Sequence, residues 1–505
     1  MPTYLLAHDL GTTGDKATLF DSGGKIVAST FAPYPLFYPK PGWAEQNAQD
    51  WWNAVCQSTR LLLDQVSHAK ENLAGVSFSA MMNGCLLIDS EGNPLRPALI
   101  HADIRSDAQS TRIVQEIGEE RAYQITGNRI SAPYFTISKL TWLTEHEPET
   151  LEKAQWCVQT KDYIGGKLTG NFGITDYSDA SLYGCFDMER RVWSEEIIAS
   201  AGFASRLLPQ VLPAQTCIGR VTADSAQQTG LPEGLPVILG GGDGACATVG
   251  AGAIHAGDAY HYLGGTSWVA AVTPQYRPDP SRRISVFCAL QPDHYVLYGT
   301  VQSAGSSIDW LRSLFGEVDF ETLEVWATAA PAGSQGLFFL PYLAGERSPI
   351  WDSQARGVYF GLSTAHGRAE MARATFEGVA YALASNLAVL QELGLAPDTV
   401  RVLGGGMRSG LWRSILAGVY GRPLLLLEHL SEATSCGAAM NLAVGLGIYP
   451  DYAEAAPHFA PIGRREDPDP ALQRLYSEGL TLFNSLYPAL ENRFSALAQW
   501  QSEEC

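Results

Sequence analysis

The sequence predicts an α/β protein of two domains related by an internal duplication. A unit of strand, turn rich in glycine and threonine, and second strand occupies residues 4–20 and recurs at residues 260–271, about half a chain later. A chain of 505 residues is also too long for one compact core. The length alone predicts roughly two to four domains, and the repeat favours two.

In the first half, the apolar runs at 4–7, 16–20 and 26–28 predict an antiparallel meander, because glycine-rich turns separate them. A helix is expected from about Asn47, and a short strand at 75–79.

In the second half, residues 336–342 predict a buried strand, and a long helix follows with an apolar stripe from Met371 to Leu390. Gly394 is the expected stop of that helix. The chain closes on a helical stripe at 472–497, which we expect Pro488 to interrupt.

Composition narrows the class of function. With 34 basic and 53 acidic residues, the net charge of −19 argues against a nucleic-acid or anionic-membrane partner, since both need a basic face. The first residues lack the basic region of a signal peptide, and no apolar run reaches membrane-spanning length. Nine cysteines, the last at Cys505, include no CxxC pair, so neither a disulfide framework nor a zinc site is expected. We therefore expect a cytoplasmic protein with a small-molecule ligand.

Glycine-rich turns follow apolar strands at 11–14, 264–267 and 404–406. Backbone N–H groups in such turns, with threonine and serine hydroxyls, can hold phosphate oxygens. None of the three turns matches the GxxxxGK[ST] motif. Any one of them alone is better explained as a plain hairpin turn than as a phosphate-binding turn. Three in one chain favour a nucleotide held between two domains.

One carboxylate, Asp243, stands on a glycine turn after the apolar strand 236–239. A carboxylate at the end of a buried strand is placed to meet a substrate in a cleft. The same residue type also caps helices, and these residues alone leave both readings open. Polar groups at 81–84 and 101–106 follow two further strands and predict a substrate pocket.

Several stretches resemble the signatures of one family. These are TISKLTWL at 136–143 and GVYFGL at 357–362 with EMARATFE at 370–377, together with DLGTTGDK at 9–16, GWAEQNAQDWW at 42–52, TKDY at 160–163 and LPYLAGERSP at 340–349. They resemble the FGGY family of carbohydrate kinases, within the superfamily of sugar kinases, chaperone ATPases and actin. The resemblance implies two actin-like (ribonuclease H-like) ATPase domains with a cleft between them. It places a sugar-binding domain at 1–245, a nucleotide-binding domain at 246–450 and a helical extension packed on the second domain at 451–505.

The resemblance also implies roles. Asp243 is expected to be the general base that takes the proton of the attacking hydroxyl. Asp9, with Asp243, is expected to organise Mg²⁺ through water, beside the phosphates of ATP. The other expected ATP-binding residues are Gly11, Thr12, Thr13, Lys16, Gly265, Thr266, Ser267, Gly305, Asp309, Gly404, Gly405 and Gly406.

The expected substrate-binding residues are Asp243 together with Met82, Asn83, Asp103, Arg105 and Tyr134. The chain is most similar to xylulokinases, but these usually have histidine where Asn83 stands and Trp-Asn-Asp where 101–103 reads His-Ala-Asp. That second stretch is closer to gluconokinases, and Tyr134 resembles a substrate-contacting tyrosine of glycerol kinases. Asparagine still donates and accepts hydrogen bonds, so a polyol contact is retained in an altered pocket.

The resemblance thus implies an ATP-dependent sugar kinase for a ketopentose such as D-xylulose, in a cytoplasmic protein for which a homodimer is the expected assembly. Gluconate or another polyol is the alternative substrate. A catalytically silent sugar sensor is the alternative of another class.

Overall fold

The computed structural model describes residues 3–504, and side chains as far as Gln501. Cys505 lies outside the described residues, and the eight cysteines within them are free thiols. The architecture is α/β, with two seven-stranded mixed sheets and helices packed against them. No helix among these residues is both long and apolar enough to cross a membrane.

The first sheet has the strand order β13-β14-β5-β1-β2-β3, with β15 paired to β5. Its strands β1 and β2 are antiparallel, as are β2 and β3, which confirms the predicted meander. Strands β5 and β14 then add in parallel. The strands are β1 (Tyr4–Leu10), β2 (Gly14–Asp21), β3 (Ile26–Pro33), β5 (Leu73–Ala80), β13 (Cys217–Arg220), β14 (Pro236–Ile238) and β15 (Gly241–Gly242).

The second sheet repeats the core of the first. Its order is β18-β19-β17-β16-β22-β23-β24, in which β16, β17 and β19 form the antiparallel part and β22 and β23 add in parallel. The five central strands therefore share order and direction with the first sheet, as an internal duplication requires. The strands are β16 (Ala259–Leu263), β17 (Ser267–Thr273), β18 (Ser285–Cys288), β19 (Tyr295–Val301), β22 (Val400–Leu403), β23 (Leu424–Leu427) and β24 (Ile462–Glu466).

Among the described residues, five pairs of short strands lie outside the two large sheets. They are β4 (Glu45–Gln46) with β7 (Ala98–Leu99), β6 (Leu86–Ile88) with β8 (Trp156–Val158), β9 (Ile174–Asp176) with β12 (Gln210–Leu212), β10 (Phe186–Asp187) with β11 (Val192–Trp193), and β20 (Phe338–Leu340) with β21 (Val358–Phe360).

The helices fill the faces of the two sheets. They are α1 (Ala48–Gln65), α2 (Ala69–Asn72), α3 (Asp107–Ile117), α4 (Glu119–Thr126), α5 (Thr136–His146), α6 (Pro148–Lys153), α7 (Thr160–Thr169), α8 (Tyr177–Ser181), α9 (Glu195–Ala201), α10 (Ala223–Thr229), α11 (Asp243–Gly250), α12 (Gly305–Leu314), α13 (Phe320–Ala329), α14 (Arg368–Glu392), α15 (Gly410–Tyr420), α16 (Ala433–Gly445), α17 (Tyr452–Phe459) and α18 (Pro470–Glu504).

The two halves are joined by helix packing. The predicted boundary after residue 245 falls inside α11, which packs closely on α16. Helix α16 lies between β23 and β24 of the second sheet in the chain, yet it packs against β1 and β5 of the first sheet. One apolar core accordingly includes residues of both halves, among them Leu5, Val249 and Leu442.

The C-terminal segment differs in two ways from expectation. It is not purely helical, because β24 forms the edge strand of the second sheet before α18 packs on α14 and α15. The predicted break at Pro488 is wrong, since α18 continues through it. A proline removes one backbone hydrogen bond, and in a 35-residue helix packed on two others that loss does not end the helix.

Candidate active site

The turn before α11 sets the position of Asp243. Gly242 is the N-cap of α11 and Asp243 is its first residue, so Asp243 does not occupy the capping position. Its Oδ1 accepts the N–H of Gly244 at 2.7 Å. A Cβ on Gly242 would lie 2.5 Å from the side chain of Met82, which explains why glycine is needed there. The Met82 side chain therefore packs directly against the turn that carries Asp243.

Asp9, near the end of β1, faces the same cavity as Asp243. This cavity of about 270 Å³ is lined by Asp9, Asp243, Ala247, Tyr262, Trp268, Leu403, Gly404, Gly405, Leu430, Ser431, Ala433 and Thr434. The Oδ2 of Asp9 accepts a hydrogen bond of 2.6 Å from the Thr434 hydroxyl. Burial raises the pKa of Asp9, although the hydrogen bond from Thr434 lowers it in part.

Burial and the charge of Asp9 raise the pKa of Asp243 to about 7. A divalent cation between the two carboxylates would offset both effects, and carboxylate oxygens are the ligands that Mg²⁺ prefers. Among residues 3–504 no group of three or more His, Cys, Asp or Glu side chains is arranged to hold a metal. The residues present fit an ion that takes its remaining ligands from phosphate and water.

A second cavity, of about 560 Å³, adjoins the first through Gly405, which lines both. It is lined by Leu263, Gly264, Gly265, Gly305, Ile308, Asp309, Phe320, Glu321, Glu324, Gly405, Gly406, Arg408, Ser409 and Trp412. Gly404 has φ +98°, and a Cβ there would lie 2.4 Å from the Leu263 carbonyl oxygen. The close approach of β16 and the turn after β22 thus requires glycine at this point.

The other predicted ATP-binding residues are not among those that line these two cavities. Gly11, Thr12 and Thr13 form the turn between β1 and β2. Lys16 extends from β2 to Glu432, with Nζ 2.9 Å from Oε2, next to Ser431 of the first cavity. The Thr266 hydroxyl donates to the carbonyl oxygen of Gln302, and the Ser267 hydroxyl donates to the carbonyl oxygen of Gly264.

A third, small cavity of about 110 Å³ contains the predicted sugar-binding residues Asn83 and Tyr134, and we name it the sugar cavity after that prediction. Its lining is Asn83, His101, Tyr134, Ser285, Tyr298, Thr300, Arg347, Ser348 and Trp351, which come from both halves of the chain. Asn83 has φ +63°, a left-handed conformation that asparagine tolerates better than most residues. Its buried Oδ1 has no hydrogen-bond partner among the described residues. A ligand hydroxyl would supply that missing donor.

Lys139 joins the two loops that carry Asn83 and Tyr134. It lies in α5, fully buried, and its Nζ donates to the carbonyl oxygens of both residues, at 2.8 Å to Asn83. Burial lowers its pKa to about 7, although nearby thiols and Asp103 oppose that shift. Lys139 was expected only as part of a family signature, and the structure gives it a role in shaping the pocket.

This pKa predicts a dependence of stability on pH. Between about 7 and the ordinary lysine pKa of 10.5, the unfolded chain binds a proton that folded Lys139 does not, so the free energy of unfolding rises with pH. Urea unfolding of the wild type and of Lys139→Met is compared at pH 6.5 and pH 9. The free energy of unfolding of the wild type, relative to that of the variant, should be higher at pH 9. A difference that stays constant or reverses would mean that the buried amine keeps its charge.

Asp103 and Arg105 do not line the sugar cavity. Both side chains are buried, with Arg105 paired to Asp103 at 2.7 Å and to Glu45 at 2.7 Å. The guanidinium of Arg105 lies 3.5 Å from the ring centroid of Trp43, and Asp103 also accepts the N–H of Ala44. In this conformation the pair supports the segment that carries His101, and its predicted contact with substrate stays a prediction.

His101 and Arg347 give the sugar cavity its electrostatic character. Burial, then the charges of Lys139 and Arg347, lower the pKa of His101 to about 4, so this imidazole is neutral near pH 7. The Arg347 guanidinium lies 5.0 Å from the ring centroid of Tyr134 and pairs with no carboxylate among the described residues.

Sequence reasoning missed some residues at the site. Thr434 holds Asp9, and Arg347, Ser285 and Thr300 line the sugar cavity, yet none was singled out. Arg347 lies within the family stretch at 340–349, so that stretch carried a signal. The others carry none, since serine and threonine on or beside strands are common in any sheet.

Comparison with known proteins agrees with this architecture. The N-terminal domain model of the FGGY family of carbohydrate kinases matches residues 4–250, and the C-terminal domain model matches residues 259–446. The chain is 30% identical to a xylulose kinase of Bacillus subtilis over 99% of both chains, and 30% identical to a gluconokinase of the same organism over 99% of both.

Among solved structures, a gluconate kinase from Lactobacillus acidophilus superposes with a TM-score of 0.92 at 28% identity, covering 98% of this chain and 100% of that one. The matched models together span most of the chain and include Asp9, Asp243 and all three glycine turns. The chain therefore belongs to the FGGY family of carbohydrate kinases, phosphotransferases with an alcohol group as acceptor.

Proposed function

We propose that this enzyme transfers the γ-phosphoryl group of ATP to a hydroxyl of an open-chain sugar, a ketopentose such as D-xylulose. One observation carries the proposal. Asp243 and Asp9 share a cavity that continues through Gly405 into the glycine-lined second cavity. That arrangement would place a base, a site for a charge-neutralising metal ion and a binding site for a nucleotide in two adjoining cavities.

In this proposal Asp243 accepts the proton of the sugar hydroxyl as the hydroxyl attacks phosphorus. Phosphoryl transfer requires mainly positioning and stabilisation of charge. A bound cation would lower that raised pKa, so the Asp243 carboxylate would be ionised and able to accept a proton near neutral pH. The backbone of the glycine turns would hold the phosphates, and Asn83 with Tyr134 would orient the sugar. Because both halves of the chain line the sugar cavity, their approach would also exclude water that competes for the phosphoryl group.

Mg²⁺, held by Asp9 and Asp243 through water, would neutralise charge on the phosphates when bound. We also place the enzyme in the reducing cytoplasm, which the free thiols among the described residues support. A homodimer stays a prediction from the family resemblance.

The test is ADP release by the purified protein with ATP and Mg²⁺, across pentuloses, hexuloses, polyols and aldonates. Release with D-xylulose above the rate without sugar is the expected result. Sugar binding without ADP release, for every sugar tried, would point instead to a catalytically silent sensor.

Gluconate is the second candidate, and Arg347 favours it. The arginine lies in the sugar cavity without an acidic partner among the described residues. Burial raises the pKa of the neighbouring Glu346 to about 8, so Glu346 is largely protonated near pH 7 and leaves the Arg347 charge unneutralised. A carboxylate on the substrate would pair with that charge.

Replacing Arg347 with methionine separates the two candidates. If gluconate is the substrate, its KM should rise about 10- to 100-fold, the range expected for loss of a charge-assisted hydrogen bond. Steady-state kinetics with D-gluconate and D-xylulose measure the change. Arg356→Met is the matched control, because Arg356 bonds only to nearby carbonyl oxygens and lines none of these three cavities. Equal effects of Arg347→Met on both sugars would count against recognition of a carboxylate.

A further inference from the structure

Glu346 lies between the sugar cavity and the phosphate-type turn at 264–267. Its side chain is 5% exposed, in the segment that follows β20. One carboxyl oxygen, Oε1, accepts two backbone N–H groups, from Gln302 at 2.7 Å and from Arg347 at 2.7 Å. The other oxygen, Oε2, is buried and has no hydrogen-bond partner among the described residues. A single atom thus joins two segments distant in sequence.

Through Gln302, Glu346 is connected to the turn at 264–267 of the proposed nucleotide site. The carbonyl oxygen of Gln302 accepts the Thr266 hydroxyl at 3.0 Å. Two residues later, Ala304 and Gly305 donate their N–H groups to the carbonyl oxygens of Gly265 and Gly264, each at 2.9 Å. The turn at 264–267 therefore rests on the segment that Glu346 holds.

Through Arg347, Glu346 is connected to the proposed sugar site. Arg347 and Ser348 line the third cavity, and so does Thr300, two residues before Gln302. A sugar that draws Arg347 towards itself pulls on the N–H group bonded to Glu346. The same carboxyl oxygen meets Gln302, so the displacement is shared with the segment beneath the phosphate-type turn.

We propose that Glu346 is a positioning residue that couples sugar binding to nucleotide binding through its shared oxygen. This inference rests on the proposed function, because it takes the third cavity as the sugar site and the second as the nucleotide site. Occupancy of either site then favours the arrangement of Gln302 and Arg347 that the other ligand needs. Coupling between two sites commonly changes affinity by about 5- to 150-fold.

Two variants separate the shared oxygen from the bulk of the side chain. Glu346→Gln keeps an oxygen acceptor at the same length, and burial already favours the uncharged carboxyl by raising the pKa of Glu346 to about 8. Glu346→Leu keeps the volume and removes the acceptor. We expect Glu346→Gln to retain the coupling and Glu346→Leu to lose it.

The experiment measures the Kd of D-xylulose by calorimetry, with and without a non-hydrolysable ATP analogue and Mg²⁺, with D-gluconate in a parallel arm. In the wild type and Glu346→Gln, the analogue should tighten sugar binding at least 5-fold. In Glu346→Leu the ratio should fall to within 2-fold of unity. Glu377→Gln is the matched control, since Glu377 is a second buried glutamate of the same half of the chain and lines none of these three cavities.

Three results would overturn the inference: a wild type without coupling, a Glu346→Leu variant that retains it, or a Glu377→Gln variant that loses it equally. If Glu346→Leu fails to fold, Thr266→Val tests the link from its other end, because it removes the hydroxyl bonded to Gln302. Retained coupling in Thr266→Val would then refute it. ADP release by the wild type, measured in parallel, shows separately whether the proposed kinase function holds.

Discussion

Replacing Asp243 with asparagine is expected to lower the kcat of sugar phosphorylation by about 10²–10⁴-fold, the contribution usual for a general base. Asparagine has the same shape, and its carbonyl oxygen can still accept the N–H of Gly244. The start of α11 should therefore be unchanged, and only the ability to accept a proton is lost. The measurement is coupled ADP release at saturating ATP and sugar.

Asp258→Asn is the matched control for this change. Asp258 also accepts backbone N–H groups, from Ile254 and His255, and pairs with Arg401 at 3.1 Å, away from the three cavities. Its turnover should remain near that of the wild type. An Asp243→Asn enzyme that keeps more than a tenth of wild-type turnover, while its circular dichroism is normal, would show that another group takes the proton.

The second large effect is expected at Lys161, a fully buried cation that is linked by hydrogen bonds to the turn that carries Asp243. Its Nζ contacts three buried carboxylates, Asp162 at 2.6 Å, Asp176 at 2.9 Å and Asp179 at 3.0 Å. Burial lowers the pKa of Lys161, but the three carboxylates more than offset it and hold the pKa well above its ordinary value.

Lys161→Met should lower the free energy of unfolding by about 3–5 kcal/mol, because removing one member of a buried ionic group leaves the others without compensation. Urea unfolding monitored by fluorescence measures this loss. Lys153→Met, an exposed lysine of the neighbouring α6, should change stability by less than about 0.5 kcal/mol. Equal losses in the two variants would contradict an energetic role for the cluster.

The Lys161 cluster is also linked to the turn that carries Asp243. Asp176 accepts the Ser178 hydroxyl, and Ser178 in turn accepts the N–H of Gly242 at 2.9 Å. Ser178→Ala removes both of these hydrogen bonds and leaves the charged groups of the Lys161 cluster in place. Ser178→Ala is therefore the milder variant for kinetics if Lys161→Met proves too unstable. Its fold-decrease in kcat should exceed its fold-change in the equilibrium constant of unfolding.

Some parts of the fold were accessible from sequence because the signal is local. The strand, turn, strand units at the start of each half depend on neighbouring apolar residues and glycines, and β1 with β2 and β16 with β17 pair as expected. The long helix ends at Glu392, two residues before the predicted stop at Gly394. Pro488 was misjudged, since packing of α18 on α14 and α15 decides that helix more than one missing hydrogen bond does.

Pairings between distant segments were not accessible in the same way. Helix α16 packs on the first sheet although it stands between β23 and β24 of the second sheet in sequence, and no local pattern encodes that docking. The Thr434 hydroxyl reaches Asp9 across 425 residues of chain because of it. Likewise the sugar cavity draws Asn83 from the first half and Arg347 from the second.

The sequence by itself determined the family signatures, the three glycine turns and the candidate base Asp243, because each depends on residue types at short spacing. Only the tertiary structure decided which polar groups are free to meet a ligand. Asp103 and Arg105 are buried against each other, whereas the Asn83 Oδ1 has no partner among the described residues and Arg347 has no acidic one. The physical reason is that hydrogen bonds and ion pairs are satisfied by proximity in space, which residue type alone does not specify.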